Sequence, residues 1–407
     1  MMPPIVRIAI RNVLRNRRRS IITFSAVFLS LSIMVGIRGF LNGLQATLRE
    51  SVVLGQTGAL QIHKAGFLKS VGTSLEMAIP SDEALLKKIA SVPGVTAVTA
   101  RIQFGGMTNA NDISTAALFN AMDPVRELAV CPRRNEMIFR GKSLKESGPA
   151  SAVLTHELAA NLGLKLGGRG TVLTSDRDGV MNALDFDFVG EYGQPGLPLP
   201  DKKIGFVPLA FAQELLRMEG RATEIAVAVQ HFDDAEKLKP ILQAQLGSEF
   251  EVSTWHDVAA FIDDAIATQN FILNLIAGVF LFVALLGIAN TMLMSVLERT
   301  REIGTMMSIG VRRRQILALF LLEAVVLGLL GGITGAMTGG GFVYYYGQKG
   351  MVLPIPGSLT PLHVFPTLKL SYIVFVLAVA AGGAALAALW PSVRASRMRP
   401  VEALSAV

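Results

Sequence analysis

The sequence predicts an α-helical membrane protein with four transmembrane helices and a large α+β domain outside the bilayer. Three observations predict it. Half of the 407 residues are apolar, mean hydropathy is +0.47 and charged residues are only 17%, against about 25% in soluble domains. Four segments are long and apolar enough to cross a bilayer core of about 30 Å, which takes about 20 helical residues. Between the first and second of them, apolar residues alternate or recur at helical spacing between Gly and Pro turns, the pattern of a folded domain.

In chain order, residues 1–19 carry Arg7, Arg11, Arg15, Arg17, Arg18 and Arg19 ahead of the first span. That span, 20–48, extends past the bilayer and holds Arg38, expected to snorkel to the outer interface. Arginines before an apolar core also mark secretory signals, but this run is too long and has no small-x-small cleavage site, so a retained anchor is expected. In residues 49–104, GALQIH (58–63) reads as a strand, SDEALLKKIASV (81–92) as a helix capped by Ser81, and VTAVTARIQF (95–104) as a strand. Residues 223–256 repeat that order with TEIAVAVQ, DDAEKLKPILQAQLG and EFEVSTW. Two such units make an α+β sandwich. Residues 105–222, with short strands and loops, read as an inserted, mostly β subdomain.

The rest is membrane again. A stalk and second span cover 257–297, and 271–297 hold no formal charge. A charged stretch at 298–314 precedes the third span, 315–346, whose one acid is Glu323. An intramembrane acid is functional by default, but Arg312 to Arg314 or the N-terminal helix offer it a structural ion pair. A short outer loop, 347–369, leads to the fourth span, 370–391, which Pro391 is expected to close. Residues 392–407 form a basic tail.

Orientation follows from the arginines, because Lys and Arg in short loops stay cytoplasmic. They cluster before the first span, between the second and third, and after the fourth, which puts both termini inside and the large domain outside. Residues 45–270 carry 21 Lys+Arg against 27 Asp+Glu, and the remaining segments 17 against 4. The basic balance is thus a topology signature and not a nucleic-acid footprint.

Catalysis by this chain is not expected, and neither is a metal. No G-x-x-x-x-G-K-[ST] is present to wrap a phosphate, and His63, His156, His231, His256 and His363 are scattered without ligand spacing. Thr155-His156-Glu157 reads as a helix cap with a dipole partner. The single cysteine, Cys131, reads as a buried structural thiol. Gly331, Gly335 and Gly339 recur every four residues inside the third span, the spacing that lets helices pack closely.

The stretch ERTREIGTMMSIGVRRRQI (298–316) places Ile303, Met306 and Met307 on one helical face beside paired charges, with Gly310 as a stop. Two readings stand on physics alone: a helix that docks in a partner's groove, or one that anchors in headgroups. The stretch closely resembles the signature of the FtsX-like ABC transporter permease family. AIRNVLRNRRRS (9–20) and PSVRASRMRPVEAL (391–404) resemble that family's N-terminal helix and C-terminal tail, so the likeness spans the chain. Length and TGALQIH (57–63) are most similar to the lipoprotein-releasing permeases of the LolC and LolE kind, and the split domain resembles the porter and sabre subdomains of MacB exporters.

The resemblance implies that 298–314 is a coupling helix docking on a separate ATPase dimer, through Glu298, Arg301, Glu302, Ile303 and Gly304. Met306, Met307 and Val311 depart from the family's commoner leucine or alanine. ATP and Mg would then be bound by the partner and no cofactor by this chain. It further implies a bacterial inner-membrane location and a second permease, copy or paralogue, because four spans are too few to enclose a path. The expected function is a permease that extracts lipoproteins from the membrane. The alternatives are a MacB-like exporter partner for peptides or small molecules, and a transmission protein controlling a periplasmic enzyme. Spans one and two run directly into the outer domain, so Ile33, Ile37 and Phe40 on the first and Phe271, Leu275 and Val279 on the second are expected to line a substrate path. The alternative is that these side chains face bulk lipid or pack on each other.

Overall fold

The computed structural model describes residues 17–69, 75–193, 203–231, 234–354 and 361–398. Most of the expected N-terminal helix (up to residue 16) and the tail from 399 onward lie outside them. Helix α1 (Arg17–Val52) runs into a π-turn (Val53–Thr57), followed by β1 (Leu60–Lys64), β2 (Ile79–Pro80), α2 (Glu83–Ala90), β3 (Val95–Ala110) and β4 (Ile113–Met122). Then come α3 (Arg126–Val130), β5 (Ile138–Gly141), β6 (Ser151–Thr155), α4 (His156–Asn161), β7 (Arg169–Ser175), β8 (Met181–Tyr192) and β9 (Ile204–Pro208). Next are α5 (Leu209–Leu216), β10 (Arg221–Ala222), β11 (Glu224–Val229), α6 (Ala235–Leu246), β12 (Phe250–Thr254) and α7 (Trp255–Val258). The chain ends with α8 (Ala260–Glu298), α9 (Thr300–Ser308), α10 (Arg313–Lys349), β13 (Met351–Leu353), β14 (Leu362–Val364) and α11 (Leu370–Ser396).

These elements form two compact units. One comprises Met1–Gln45, Ala267–Met351 and Val364–Val407, the other Ala46–Ile266 and Val352–His363.

In the first unit, α1, α8, α10 and α11 are each long and apolar enough to cross a membrane. The last of them corrects an expectation: α11 does not stop at Pro391 but runs through it to Ser396. Proline removes one helical bond, at about 3 kcal/mol, yet Ala388, Ser392 and Ala395 around it are fully buried, and that packing carries the helix past the break. The Arg38 guanidinium donates to Asn270 Oδ1 at 3.0 Å and lies over the Tyr372 ring, 5.7 Å from its centre.

In the second unit, one sheet runs in the order β12-β1-β11-β3-β4-β9-β6-β8-β5, with β7 bridging β3 and β8. Two cores share it. At one end Leu60, Ile62, Val98, Ile225 and Val252 pack under α2 and α6 through Ile89, Leu238 and Leu242. At the other, Phe104, Phe119, Leu154, Phe186 and Phe188 pack with Leu158, Phe211 and Leu215 of α4 and α5. The strand expected to end at 104 continues to Ala110, so β3 belongs to both cores. It turns into β4 through Asn111 and Asp112 at φ +49° and +63°, the two-residue hairpin geometry that Asn and Asp tolerate best after Gly. Helix α2 is capped by Asp82, whose carboxylate accepts from the Leu85 amide at 2.8 Å, and not by Ser81.

A charged cluster is buried where β3, β11 and α3 meet. Arg101 Nε and Nη2 donate to both oxygens of Glu127 at 2.9 and 2.7 Å, and Nη1 donates to Glu224 at 2.7 Å. Cys131 Sγ lies 3.1 Å from the same guanidinium, and Arg134 is 3.0 Å from Glu127. Arg101, Glu127, Glu224 and Cys131 are each at most 3% exposed. Burial alone would push the Glu127 carboxyl up, but Arg101 and Arg134 outweigh it and hold it below the usual carboxylate range. Burial pushes the Cys131 thiol up against the pull of Arg101, so Cys131 stays a protonated thiol.

Because the folded state lowers the Glu127 pKa, its contribution to stability is complete above the ordinary carboxylate range and is lost as pH falls through the lowered value. The core residue Trp255 reports this directly. In a Trp390→Phe background, denaturation followed by Trp255 fluorescence is expected to show stability falling with acid. Glu127→Gln should cost about 3 kcal/mol at neutral pH and flatten the acid dependence. An unchanged acid limb in the variant would place the titrating group elsewhere.

Candidate functional site

The site begins where α8 ends. Thr300 Oγ1 donates to the Leu297 carbonyl at 2.8 Å, Arg299 leaves helical geometry at φ −107°, ψ 18°, and the chain restarts as α9. Ten residues after Thr300, Gly310, at φ +99°, allows the turn in which the Val311 amide reaches the Met306 carbonyl at 3.0 Å. Arg312 then opens α10, its amide donating to Gln315 Oε1 at 2.9 Å. A short helix is thus set off between two spans by a break at one end and a left-handed glycine at the other.

Its two faces are unlike. Ile303 is fully buried and Gly304 is buried beside it. Ile303 packs with Val296, Ile316, Phe320 and Ala395, and Met306, Met307 and Val311 lie against that cluster. The apolar ridge read from the sequence as a partner's contact is therefore the inner face, which fixes α9 to the ends of α8, α10 and α11. Glu298, Arg301, Glu302, Thr305, Ser308 and Ile309 are exposed, Ile309 at 78%. Of the five motif positions, Glu298, Arg301 and Glu302 face outward, while Ile303 and Gly304 hold the helix in place.

Sequence reasoning passed over Arg299. It is 7% exposed, its Nε donates to Glu302 at 2.8 Å, its Nη1 lies 3.5 Å from Glu323 Oε2, and its guanidinium lies over Phe320 at 5.9 Å. Among the described residues Glu323 is accordingly paired with Arg299, while Arg312, Arg313 and Arg314 are exposed; most of the N-terminal helix, the other expected partner, lies outside the described residues. A signal was available, since Val296, Arg299 and Ile303 share one helical face at spacings of three and four.

Within the membrane helices, Gly331, Gly335 and Gly339 lie against α1. A Cβ added at Gly331 would sit 2.8 Å from Val27 Cγ1, at Gly335 2.8 Å from the Phe28 carbonyl oxygen, and at Gly339 2.6 Å from the Ser32 carbonyl oxygen. Beside this seam runs an apolar groove of about 470 Å³, lined by Ile33, Ile37 and Phe40 of α1, Thr338 and Phe342 of α10, and Met351.

The groove brings the first span's candidate residues together with the third span, and not with Phe271, Leu275 and Val279 of the second, which are absent from its lining. Those three are 59–70% exposed on α8. The difference has a cause in small residues. Glycines set α10 directly on the α1 backbone, whereas at Gly278 and Gly287 of α8 an added Cβ would meet nothing within 4 Å. Polar pairs join α8 to α1, through Thr23 with Thr291 and through Arg38 and Gln45 with Asn270, beside the apolar cluster that Ala284, Ile288 and Met292 share with Val27 and Leu31.

Residues 274–400 match the family described as FtsX-like permease C-terminal, and residues 20–245, more than half of the chain, match the MacB-like periplasmic core domain. The chain is 26% identical to the macrolide export ATP-binding/permease protein MacB of Nitrobacter winogradskyi over 406 residues, 96% of this chain and 58% of that one. It thus spans little more than half of that relative's length. It is also 26% identical to the uncharacterized ABC transporter permease YvrN of Bacillus subtilis, over 98% of both chains. Among solved structures, the periplasmic region of MacB from Actinobacillus actinomycetemcomitans aligns at 12% identity and a TM-score of 0.35, covering 54% of this chain and 98% of that one.

The glycine seam predicts opposite outcomes for one substitution at two sites. Gly335→Ala drives a methyl into the α1 backbone and is expected to destabilise the helix bundle by about 1–3 kcal/mol. Gly340→Ala meets nothing within 4 Å and is expected to be neutral or to stabilise by up to about 1 kcal/mol through helix propensity. Thermal unfolding of the two variants in detergent checks both; equal shifts would mean that the seam does not depend on backbone contact.

Proposed function

The chain belongs to the FtsX-like permease family with a MacB-like periplasmic core domain, and on that premise we propose that it couples ATP hydrolysis by a partner ATPase dimer to motion of its large domain. The observation that carries this reading is α9. Its apolar side is consumed in holding it to three spans, so what it offers outward is a compact set of charges, Glu298, Arg301 and Glu302, on a support that moves only with the membrane helices. A headgroup anchor turns an apolar face outward, whereas among the outward side chains named above Ile309 alone is apolar.

The substrate reading we favour is an amphiphile taken from the membrane, lipoprotein acyl chains in particular. The apolar groove beside Ile33, Ile37 and Phe40 supports it, because it lies between spans and has room for alkyl chains. A second reading, export of macrolide-like small molecules or peptides, is favoured by the relatives that carry the name MacB. In both, the chain works as a pair with a second permease at the bacterial inner membrane, both termini on the ATPase side, and ATP and Mg belong to the partner.

Two measurements address the proposal. Arg301→Glu sets a like charge against whatever acid of the ATPase faces it, so recovery of the ATPase with the purified permease is expected to fall at least about tenfold while the spans still insert. Full recovery with normal activity would make α9 an anchor only. A photocrosslinking residue at Ile37 is expected to capture lipoprotein and to release it when ATP is supplied, whereas the same residue at Leu275, outside the groove, is expected to capture phospholipid. Capture of phospholipid alone at both positions removes the lipoprotein reading and leaves the exporter.

A further inference from the structure

Arg299 stands between two carboxylates in different settings. Glu302 is at the third position of α9, where the helix N-terminus favours an acid, and its side chain is 44% exposed on the face that carries Arg301. Glu323 is just over two turns beyond Gln315 on α10 and 6% exposed. One guanidinium serves both: Nε reaches Glu302 at 2.8 Å and Nη1 reaches Glu323 at 3.5 Å. The first distance is that of a charge-assisted hydrogen bond, and the second is a looser ion pair.

The fork of an arginine permits this sharing, which a lysine's point charge does not. The Phe320 ring beneath the guanidinium keeps it in place. Any cation that approaches Glu302 from outside competes for the carboxylate that Arg299 holds, and Arg299 then turns toward the acid in the span.

From this geometry we propose that Arg299 is a positioning residue that relays contact at Glu302 to Glu323 in the third span. The inference rests on the reading of α9 as an ATPase-docking helix, and it adds the route by which docking reaches the bilayer. The relay is a competition: the outer acid is exposed to a partner, the inner acid is not, and Arg299 is shared between them. The three elements it joins are the end of α8, the start of α9 and the interior of α10, so a change in how Arg299 is shared alters the angle at which α9 sits between its two spans.

The test separates a relay from a simple buried ion pair. In the full-length permease alone, Glu323→Gln is expected to raise hydrogen exchange in residues 300–308 at least about fivefold, a coupling of ordinary size. The exchange variant Arg299→Glu with Glu323→Arg restores the inner pair but sets a carboxylate beside Glu302. If Arg299 only fills a buried pair, the exchange variant regains wild-type protection in 300–308, and the inference is overturned. If it is shared, protection stays low and returns only when Glu302→Arg is added.

In the complex, Glu323→Gln should keep the ATPase bound, because the outer face is intact, but should lower permease-stimulated ATP hydrolysis at least about fivefold. Unchanged stimulation with the ATPase bound overturns the relay. Failure of the wild-type chain to recover any ATPase overturns the docking reading instead, and the exchange measurement on the permease alone still decides the role of Arg299.

Discussion

The contact between the backbones of α1 and α10 is the constraint on which the membrane unit depends. Lipid chains are as apolar as the side chains they touch, so helices in a bilayer gain little from burying leucine, and close packing has to supply the attraction. Gly331, Gly335 and Gly339 supply it by letting α10 approach until the carbonyls of Phe28 and Ser32 take the places where Cβ atoms would be. A second set of contacts runs to α11, where Cβ atoms at Gly328 and Gly332 would lie 2.7 and 3.2 Å from the Cβ atoms of Ala384 and Ala380. Helix α10 is therefore the central element, packed on two sides, and the groove beside Ile37 exists because the seam fixes α1 on one side of it and leaves the larger side chains to diverge.

Helix α8 is held differently, and the difference bears on function. Its links to α1 include hydrogen bonds, Thr23 with Thr291 near one end and Arg38 and Gln45 with Asn270 near the other, beside the apolar cluster that its Ala284, Ile288 and Met292 share with Val27 and Leu31, and much of its remaining apolar surface is uncovered, as at Phe271, Leu275, Phe282 and Leu286. Hydrogen bonds between membrane helices are worth about 0.6 to 2 kcal/mol each, and they break and re-form without the close interdigitation of a glycine seam. The same α8 leads at its other end into α9. The two spans that flank α9 are thus held differently, α10 by glycine contacts on two sides and α8 by hydrogen bonds and side-chain packing.

The apolar helices, the large α+β domain and the outline of α9 were legible because each has a strong periodic or compositional signal. Charge-free runs mark α8 and α11, alternation marks β3 and β11, and the change from apolar residues to Glu298, Arg299 and Arg301 marks the break. What could not be read were pairings over long separations. Nothing local ties Arg101 to Glu127 and Glu224, or Arg299 to Glu323, and helical spacing on α1 does not say whether Ile33 and Ile37 face α8 or α10. The ridge of Ile303, Met306 and Met307 was found but turned the wrong way, because amphipathicity shows that a helix has two faces and not which of them is occupied by its own chain. Pro391 misled for a related reason: local propensity stops a helix there, and burial of Ala388, Ser392 and Ala395 carries it on.

The two buried arginines solve the same problem with different consequences. Each divides its guanidinium between two acids, Arg101 between Glu127 and Glu224, Arg299 between Glu302 and Glu323. Around Arg101 every partner is sealed: both carboxylates are about 1% exposed, and the bidentate contact to Glu127 leaves no room for a competitor. That arrangement can only lock β3, β11 and α3 together, and removing a partner strands a charge in a low-dielectric core. Around Arg299 one partner is sealed and the other is open to solvent, and the sealed one is the more distant. The same side-chain chemistry that makes one cluster a fixed joint thus makes the other responsive, because the free energy of sharing depends on what else reaches Glu302. Exposure of one acid, and not the strength of either bond, is what separates a clamp from a relay in this chain.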